Sequence, residues 1–339
     1  MRAGLIEAPG VLKMVERDIP KIEKDTDVLV KIKRVGICGS DMHIYHGKNA
    51  FVTYPRVWGH EFVGEVAETG SAVTNVKAGD HVVAEPILSC GECYACRQGR
   101  RNACQDLKVY GVHVEGGAQE YVVIPEKNAH TIPSDLPWSQ AVLIEPFTIG
   151  AQACYRGNVQ EGDVVFVMGA GTIGLTIMVN AKILGATVII SDIVDGKLEY
   201  AKKLGADHII NAKEVDVVKK VLEITEGMGA NVTVDAVCSK ESFEQAIDVT
   251  STAGRVVEMS FNTTPSEIMP VKLAKGEMTI MGSRHQTGRF PVVIEYLKQG
   301  KLPLDGFANA EFSFDQMHEA FDYAEKNTDT VRKIILSME

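Results

Sequence analysis

The sequence predicts an α/β protein that combines a β-rich domain with a domain built on a doubly wound parallel sheet. Three observations support this fold class. The chain has 339 residues, and at about 150 residues per domain it should form two cores. Short β-type runs separated by Gly, Pro and Asp fill the first half. From residue 163 onward, strands alternate with apolar helices, which is typical of a parallel sheet with helical crossovers.

The elements follow in order from these patterns. In the first half, strands are predicted at 28–35, 62–69, 81–84 and 121–124. In the second half, a helix is predicted at 172–184 and six strands at 164–168, 187–191, 208–210, 232–236, 255–259 and 278–281. A helix at 291–300, a short strand and a helix at 314–326 follow. Because no internal repeat is present, the predicted boundaries near 148 and 283 depend on the change of pattern alone.

Composition and charge narrow the function classes. Hydrophobic residues make up 45% of the chain and charged residues 24%, an ordinary globular composition. The 35 Lys and Arg residues against 45 Asp and Glu residues give a net charge of −10, which argues against nucleic acid as a partner. No uninterrupted apolar run reaches the roughly 18 residues that span a membrane. Residues 1–9 lack the parts of a secretory signal, so we expect a cytoplasmic protein without membrane partners.

A glycine-rich turn indicates a dinucleotide site. Residues 169–174 read Gly-Ala-Gly-Thr-Ile-Gly and match G-x-G-x-x-G, a weak signal alone in a chain with 31 glycines. The turn directly follows a predicted strand and opens an apolar helix, so backbone amides at the helix N-terminus can approach a pyrophosphate. The predicted cofactor-binding residues of this turn are Gly169, Gly171, Thr172, Ile173 and Gly174. The alternative is a glycine turn that serves only helix packing.

The choice between NAD and NADP depends on Asp192. This residue ends the next predicted strand, 21 residues beyond Gly171, where a carboxylate accepts hydrogen bonds from the adenosine ribose hydroxyls. Ile193 follows it, so a 2′-phosphate would meet a carboxylate with no compensating positive charge. NAD is therefore predicted. Ser260 and Ser283 are further predicted cofactor-binding residues.

Four of the seven cysteines are crowded into one segment. They are Cys90, Cys93, Cys96 and Cys104, and in a reducing compartment this spacing indicates metal ligation rather than disulfides. Four thiolates can fill a tetrahedral Zn²⁺ shell completely, which leaves no position for substrate and makes the role structural. The segment 89–106 has few large apolar residues and needs the metal to hold its shape. An iron–sulfur cluster and unrelated free cysteines are the alternatives.

A second set of metal-ligand types is spread along the chain: Cys38, His60, Glu61 and Glu145. Singly, each has an ordinary alternative, namely a core cysteine, a hydrogen-bonded loop histidine, or a glutamate near a helix end. Together they supply the thiolate, imidazole and carboxylate of an open catalytic zinc whose remaining position accepts water or a substrate alcohol.

These motifs, in this order, make the whole chain resemble the zinc-dependent medium-chain dehydrogenase/reductase superfamily. The resemblance implies a GroES-like catalytic domain at 1–148 and 283–339, with the zinc lobe at 89–106, and an inserted Rossmann NAD-binding domain at 149–282. It implies two Zn²⁺ per chain, one catalytic and one structural, with NAD as the cofactor. It also implies a homo-dimer or homo-tetramer, formed through an edge strand such as 278–281.

The resemblance assigns roles to the spread-out residues. Cys38 and His60 fall at the catalytic-zinc positions, and the four clustered cysteines at the structural-zinc positions. Ser40 and His43 fall at the hydroxyl–imidazole proton relay, although His43 can also be a surface imidazole.

The carboxylates mark a departure from simple alcohol dehydrogenases. Glu145 stands where those enzymes have a second cysteine, which is similar to the polyol, threonine and sugar-acid dehydrogenases. In those enzymes, the residue at the position of Glu61 or of Glu145 can ligate the zinc or hydrogen-bond the zinc-bound water, depending on the state of the enzyme. A harder carboxylate ligand leaves more positive charge on the metal and suits a substrate that offers two oxygens, such as a diol or hydroxy acid.

The expected reaction is hydride transfer from a secondary alcohol to NAD, which gives a ketone. Residues 54–57, 111–113 and 282–285 look most like the sugar-acid and polyol branch, whose substrates include gulonate, idonate and galactonate. Arg284 is the first choice for a substrate carboxylate, since a guanidinium makes a two-pronged charged hydrogen bond, and Arg56 is the second. A backbone-binding or cofactor-supporting role is the alternative for Arg284.

Other functions remain open from the sequence. A threonine 3-dehydrogenase-like enzyme and a sorbitol or galactitol dehydrogenase share these motifs. A zinc-containing NAD(H)-binding regulatory protein is the non-enzyme alternative, and the joint presence of the site residues argues against it. A zinc-free quinone-type reductase is disfavoured because Cys38 and His60 are both present.

Overall fold

The computed structural model of the chain describes residues 1–339. They divide into two compact units, one formed by Met1–Glu145 and Leu304–Glu339, the other by Pro146–Pro303. The first change of unit lies close to the predicted boundary at 148, whereas the second lies well beyond the predicted boundary at 283.

The amino-terminal part of the first unit is mostly β-structure. Its strands are β1 (Arg2–Ala8), β2 (Val11–Glu16), β3 (Asp27–Ile37), β4 (Arg56–Val57), β5 (Glu61–Thr69), β6 (His81–Ala84), β7 (Ile87–Leu88), β8 (Lys108–Val109), β9 (Tyr121–Pro125) and β10 (Ala129–Thr131). Its helices are short: α1 (Gly39–Tyr45), α2 (Tyr94–Arg97) and α3 (Trp138–Ala141). The four predicted strands correspond to β3, β5, β6 and β9, and the amino-terminal hairpin β1–β2 was not predicted.

Helix α4 (Ile144–Arg156) leads into the second unit. The strands there are β11 (Val164–Met168), β12 (Thr187–Asp192), β13 (His208–Asn211), β14 (Ala230–Asp235), β15 (Thr250–Glu258) and β16 (Thr279–Gly282). The helices are α5 (Thr172–Ile183), α6 (Asp195–Lys203), α7 (Val217–Ile224), α8 (Lys240–Val249), α9 (Pro270–Gly276) and α10 (Phe290–Lys298).

All six strands of the second unit pair in parallel, in the order β13-β12-β11-β14-β15-β16. This is the doubly wound order in which two halves meet beside the first strand, and it confirms the predicted fold class. Strand β11 is largely buried along its length, as its unbroken apolar run predicts. Strand β16 forms an edge of the sheet, and self-association through it stays a prediction.

The second unit extends past residue 283 because α10 packs within it. Phe290 and Val293 are fully buried, and the Arg289 guanidinium lies 4.2 Å from the ring centroid of Tyr155. The change of sequence pattern after residue 282 therefore marks the end of the parallel sheet and not the end of the unit.

The chain then returns to the first unit with β17 (Ala310–Ser313), α11 (Met317–Lys326) and β18 (Ile334–Ser337). Strand β18 pairs with β3, and Ile334 lies opposite Ile37. The larger sheet has the order β10-β6-β5-β3-β18-β17, with β9 also paired to β3. This pairing brings the carboxyl-terminal segment beside the residues that follow β3. No helix of the structure has the length and apolar character needed to cross a membrane.

Candidate metal and cofactor sites

Cys38 is held at the junction between β3 and α1. It is the residue before α1, and its backbone N–H donates to Asp41 Oδ2 at 2.8 Å. Asp41 is completely buried, so one carboxylate oxygen caps the helix while the other remains for a neighbouring group. The cap fixes the position from which the Cys38 sulfur projects.

His60 lies between Asp41 and Ser40. Its Nδ1 is 3.5 Å from Asp41 Oδ1, and its Nε2 is 3.5 Å from Ser40 Oγ. A carboxylate beside Nδ1 orients an imidazole so that Nε2 is presented to a metal. Burial opposes the charged imidazolium, but the Asp41 carboxylate and the Cys38 sulfur outweigh it and raise the pKa of His60 well above its usual value. The surroundings of this ring therefore favour positive charge.

Glu61 forms a buried ion pair with Lys333. Lys333 Nζ lies 2.6 and 2.7 Å from the two carboxylate oxygens and also donates to the carbonyl of Ile37 at 3.3 Å. Burial disfavours the ammonium, but Glu61 outweighs it and raises the pKa of Lys333 above its ordinary value. Gly36 faces Glu61 across β3 and β5, and a Cβ there would lie 2.2 Å from Glu61 Oε2. Glycine at 36 is therefore required for this arrangement.

Glu145 is a buried carboxyl group in the first turn of α4. Burial, together with the negative charge of Glu61, raises the pKa of Glu145 to about 8. The ligand atoms of Cys38, His60 and Glu61 all lie within 4.8 Å of one another, and Glu145 is not part of that set. Thiolate, imidazole and carboxylate donors in a negative environment fit a zinc ion.

The four cysteines of the lobe at 89–106 lie together. Their sulfurs fall within 4.8 Å of one another, and none forms a disulfide. Cys90 Sγ is 3.4 Å from Cys104 Sγ and 3.9 Å from Cys96 Sγ, and Cys93 Sγ is 3.9 Å from Cys104 Sγ. Zinc bonded to four sulfurs at about 2.3 Å places them about 3.8 Å apart. The spacing therefore fits a closed tetrathiolate zinc shell.

Backbone amides support the sulfurs of this lobe. The N–H groups of Cys90 and Cys93 point at Cys104 Sγ and Cys90 Sγ, at 3.3 and 3.4 Å. Amides of Gln105 and Cys96 lower the pKa of Cys93 to about 6, whereas burial raises the pKa of Cys104 to about 11. Thiolates are the zinc-binding form, so these amides favour metal binding.

The glycine-rich turn has the geometry that a dinucleotide site needs. Gly169 has a positive φ of 93°, and a Cβ at Gly174 would lie 1.8 Å from the Gly169 carbonyl oxygen. No side chain caps α5, whose first residues are Thr172 and Ile173 and whose N-cap is Gly171. The helix N-terminus therefore presents backbone amides to an anion, which fits a pyrophosphate.

Asp192 is fixed at the end of β12. One carboxylate oxygen accepts from Ala170 N at 2.7 Å, and the other accepts from the N–H groups of Ile193 and Val194 at 2.8 and 3.0 Å. These bonds fix the acid directly beside the glycine-rich turn. Oδ2, which accepts from Ala170 N alone, keeps acceptor capacity for a ribose hydroxyl.

Ser260 and Ser283 follow β15 and β16. Ser260 Oγ donates to the carbonyl of Cys238 at 3.3 Å. Ser283 is buried, and its backbone N–H donates to the carbonyl of Glu258 at 2.8 Å. Both serines lie at the carboxyl ends of parallel strands, the edge at which doubly wound sheets bind their ligands. Both therefore stay predicted cofactor contacts.

Three further predicted residues differ in their surroundings. Arg56 is held by its own neighbours, since its guanidinium lies 2.8 Å from Thr53 Oγ1 and 3.5 Å from Glu115 Oε1. Arg284 lies 5.9 Å over the ring of Phe261, and burial lowers its pKa. His43 lies on α1 with an exposed side chain. The ion pair of Arg56 makes it the weaker candidate of the two arginines for a substrate carboxylate.

Sequence reasoning missed the roles of Gly36, Asp41 and Lys333. Asp41 follows Cys38 by three residues, the spacing of a helix cap, which is a local signal that identifies it. Lys333 carries only a weak signal, the second of two adjacent cations before an apolar strand, because its partner Glu61 is 272 residues away in sequence.

The sequence matches two known domain families. Residues 24–134 match the alcohol dehydrogenase GroES-like domain, and residues 172–299 match the family described as zinc-binding dehydrogenase. These matches cover the lobe with four cysteines and most of the parallel sheet.

Relatives extend this similarity over nearly the whole chain. RspB of Escherichia coli K12, named a starvation-sensing protein, is 39% identical over 99% of this chain and 99% of its own. Sorbitol dehydrogenase of Bacillus subtilis is 33% identical, covering 96% and 93%. L-galactonate-5-dehydrogenase of Escherichia coli K12 is 32% identical, covering 95% and 94%. The structure of RspB from Escherichia coli CFT073 with NADH has a TM-score of 0.95 at 39% identity, covering 100% and 99%.

Proposed function

The chain belongs to the zinc-dependent medium-chain dehydrogenase family and is an oxidoreductase, and from this premise we propose that it oxidises a secondary alcohol of a sugar acid or polyol to a ketone with NAD. The observation that carries the proposal is the convergence of Cys38, His60 and Glu61 within 4.8 Å. Ser40 lies beside the same imidazole nitrogen that would face the metal.

Cys38 and His60 are the two proposed catalytic-zinc ligands that the structure brings together, and Glu145, which is not part of that grouping, is the proposed third. Lys333 engages both oxygens of Glu61, which favours a supporting role for Glu61 and leaves Glu145 as the carboxylate ligand. A carboxylate held by an ammonium is a poorer metal donor, because the ammonium already neutralises its charge. The four lobe cysteines are the proposed ligands of a separate structural zinc.

The proposed chemistry uses the chain's own residues around these groups. When bound, zinc lowers the pKa of a coordinated hydroxyl and NAD accepts a hydride. Asp41 orients His60, and Ser40, whose Oγ lies 3.5 Å from His60 Nε2, is the proposed first relay: its Oγ would accept the proton of the substrate hydroxyl while its own proton passes on towards solvent. His43, exposed on the same helix, is the proposed outlet of that proton to solvent.

Asp192 supports NAD over NADP as the cofactor. Its carboxylate is fixed by three backbone amides at the end of β12, where it would accept ribose hydroxyls and repel a 2′-phosphate. Ile193 and Val194 follow it and bring no positive side chain.

The substrate class is proposed from Arg284 and from the relatives. Two relatives carry the names sorbitol dehydrogenase and L-galactonate-5-dehydrogenase, which describe a polyol and a sugar acid. Arg284, stacked near Phe261, is the proposed contact for a substrate carboxylate, because a guanidinium binds a carboxylate with two parallel hydrogen bonds.

The proposal is tested by NAD reduction with zinc-loaded protein, over hexonates, polyols and threonine, with NADP in parallel. We expect NADH to form with gulonate, idonate, galactonate or a polyol, and NADP to serve poorly. Failure of every secondary alcohol in the panel would contradict the proposal. Turnover with threonine alone would replace the sugar-acid assignment by an amino-alcohol one.

Arg284→Ala tests whether the substrate is a sugar acid or a neutral polyol. Loss of a charged hydrogen-bonded pair should lower kcat/KM for a hexonate roughly ten- to a hundredfold, with a much smaller loss for sorbitol. Arg284→Lys keeps the charge without the planar fork and should recover only part of the activity. Equal damage to both substrates would mean that the arginine supports the cofactor or the wall of the site.

A further inference from the structure

The second unit contains a small cavity among α4, α5 and α10. Its volume is about 150 Å³, and its walls include Tyr155 from α4, Asn180 from α5 and Tyr296 from α10. Arg289, the residue before α10, and Asn158, which follows α4, add further polar groups to the wall. The remaining lining is mainly aliphatic, so the cavity offers a few polar groups on an apolar background, as small-molecule sites do.

This cavity is separate from the dinucleotide turn. The turn precedes the first residue of α5, Thr172, whereas Asn180 and Leu184 line the cavity from the last turns of the same helix. At 1.5 Å per residue, these positions lie roughly 12–18 Å along the helix from its start. The cavity is therefore not part of the cofactor-binding edge.

Arg289 is the one charged residue among those that line the cavity. Its guanidinium carbon lies 4.2 Å from the ring centroid of Tyr155, and its Nε donates to the carbonyl of Thr287 at 3.1 Å. Stacking on the ring fixes the plane of the group and leaves its terminal N–H groups for an anion.

The titratable neighbours add donors and no negative charge. Burial raises the pKa of Tyr296, so its hydroxyl stays protonated near neutral pH and can donate a hydrogen bond. Burial likewise raises the pKa of Cys154 to about 12, which keeps this thiol neutral. The cavity wall therefore combines one fixed cation with a phenol donor.

Asn180 supplies an acceptor. It is almost completely buried, and its Nδ2 donates to the carbonyls of Phe147 and Thr176 at 3.2 and 2.8 Å. Its Oδ1 is buried without a hydrogen-bond partner. The two donations fix which side of the amide is oxygen, so the free group accepts a hydrogen bond and does not donate one. A buried acceptor of this kind costs free energy unless a donor meets it.

We propose that this cavity binds a short hydroxy acid, with the carboxylate on Arg289 and Tyr296 and the hydroxyl donating to Asn180 Oδ1. About 150 Å³ corresponds to roughly five water molecules. Molecules of the size of lactate or glycerate fit this volume, whereas a hexonate is too large. The carboxyl ends of α4 and α5 add partial negative charge, so the expected Kd is in the millimolar range.

Direct binding tests the proposal on the zinc-loaded full chain without NAD, at constant ionic strength, by calorimetry or ligand-observed NMR. Lactate and glycerate should bind saturably, propionate and propane-1,2-diol at least about fivefold more weakly, and galactonate not at this site. No saturable binding of either hydroxy acid up to about 50 mM would overturn the proposal. Equal binding of sulfate would show a general anion site and overturn the carboxylate assignment.

Variants assign the binding to the cavity. Arg289→Gln should weaken lactate binding at least about tenfold and Tyr296→Phe about threefold. Lys298→Gln removes a charge from the exposed side of the same helix and should change Kd less than twofold. Unchanged lactate binding in both Arg289→Gln and Tyr296→Phe would overturn the proposal. Because the readout is binding and not turnover, failure here leaves the proposed dehydrogenase reaction untouched.

Discussion

The two candidate metal-binding clusters of the first unit are built in opposite ways. The four lobe cysteines lie within fifteen residues of sequence, and backbone amides from the same segment support their sulfurs. The second cluster, called the open cluster below, consists of Cys38, His60 and Glu61. It depends on strands β3, β5 and β18 and on Lys333, which comes from the far end of the chain.

The electrostatics differ in the same way. The thiols of the lobe are mostly exposed or half-buried. The other cluster instead contains or adjoins charged side chains that are completely or almost completely buried, namely Asp41, Glu61, Glu145 and Lys333. A closed thiolate shell needs only to hold a metal. Buried charges around an open shell also set the orientation and charge of the groups that meet a substrate. The lobe cluster is thus local in sequence, and the open cluster is a product of the tertiary fold.

Removal of His60 should have the largest effect. His60→Ala is expected to lower turnover at least about a thousandfold and to release one zinc, since it removes a ligand of the open site. NADH binding should stay nearly unchanged, because the dinucleotide turn belongs to the other unit.

The measurements are turnover, elemental analysis and NADH titration, with His318→Ala as the control at an exposed histidine. If His60→Ala keeps a tenth of the turnover, His60 is not a ligand of a catalytic zinc, and the proposed difference in function between the two clusters is wrong.

Lys333→Met tests the buried charges around the open cluster. It leaves Glu61 without its counter-charge and should lower the free energy of unfolding by about 3–5 kcal/mol. Lys326→Met breaks an exposed pair with Asp322 and should cost less than about 1 kcal/mol. Denaturant unfolding compares the two variants, and equal losses would show that the buried pair does not support the site.

Cys93→Ser should have the smallest effect on chemistry. We expect loss of the lobe zinc and a drop in the free energy of unfolding of about 2–4 kcal/mol, because a metal that holds a poorly packed segment is lost. Turnover of the folded protein should stay within about threefold, since the lobe has no open coordination position. Cys238→Ser is the matched control outside both clusters, and it should keep both zinc ions. Loss of turnover as severe as in His60→Ala would contradict the separation of roles.

The same contrast explains which features were predictable from the sequence. The lobe and the glycine-rich turn are local patterns, and the parallel sheet was predictable because apolar runs such as β11 alternate with helices. The ion pair between Glu61 and Lys333 was not predictable, because it depends on the pairing of β18 with β3. The sequence also does not show that the second unit extends past residue 283. That extension depends on the packing of Phe290 and Arg289 within the unit, and no pattern of neighbouring residues indicates this packing.

Zinc X-ray absorption on the purified chain distinguishes the two clusters by counting sulfur ligands. Four sulfurs at the lobe and one at the open cluster average to 2.5 sulfur ligands per zinc ion, and two zinc ions should be present per chain. In His60→Ala the average should rise towards four as the catalytic zinc is lost. A single zinc with four sulfur ligands in the unaltered chain, or iron in place of zinc, would contradict the presence of a closed structural site and an open catalytic one in the same chain.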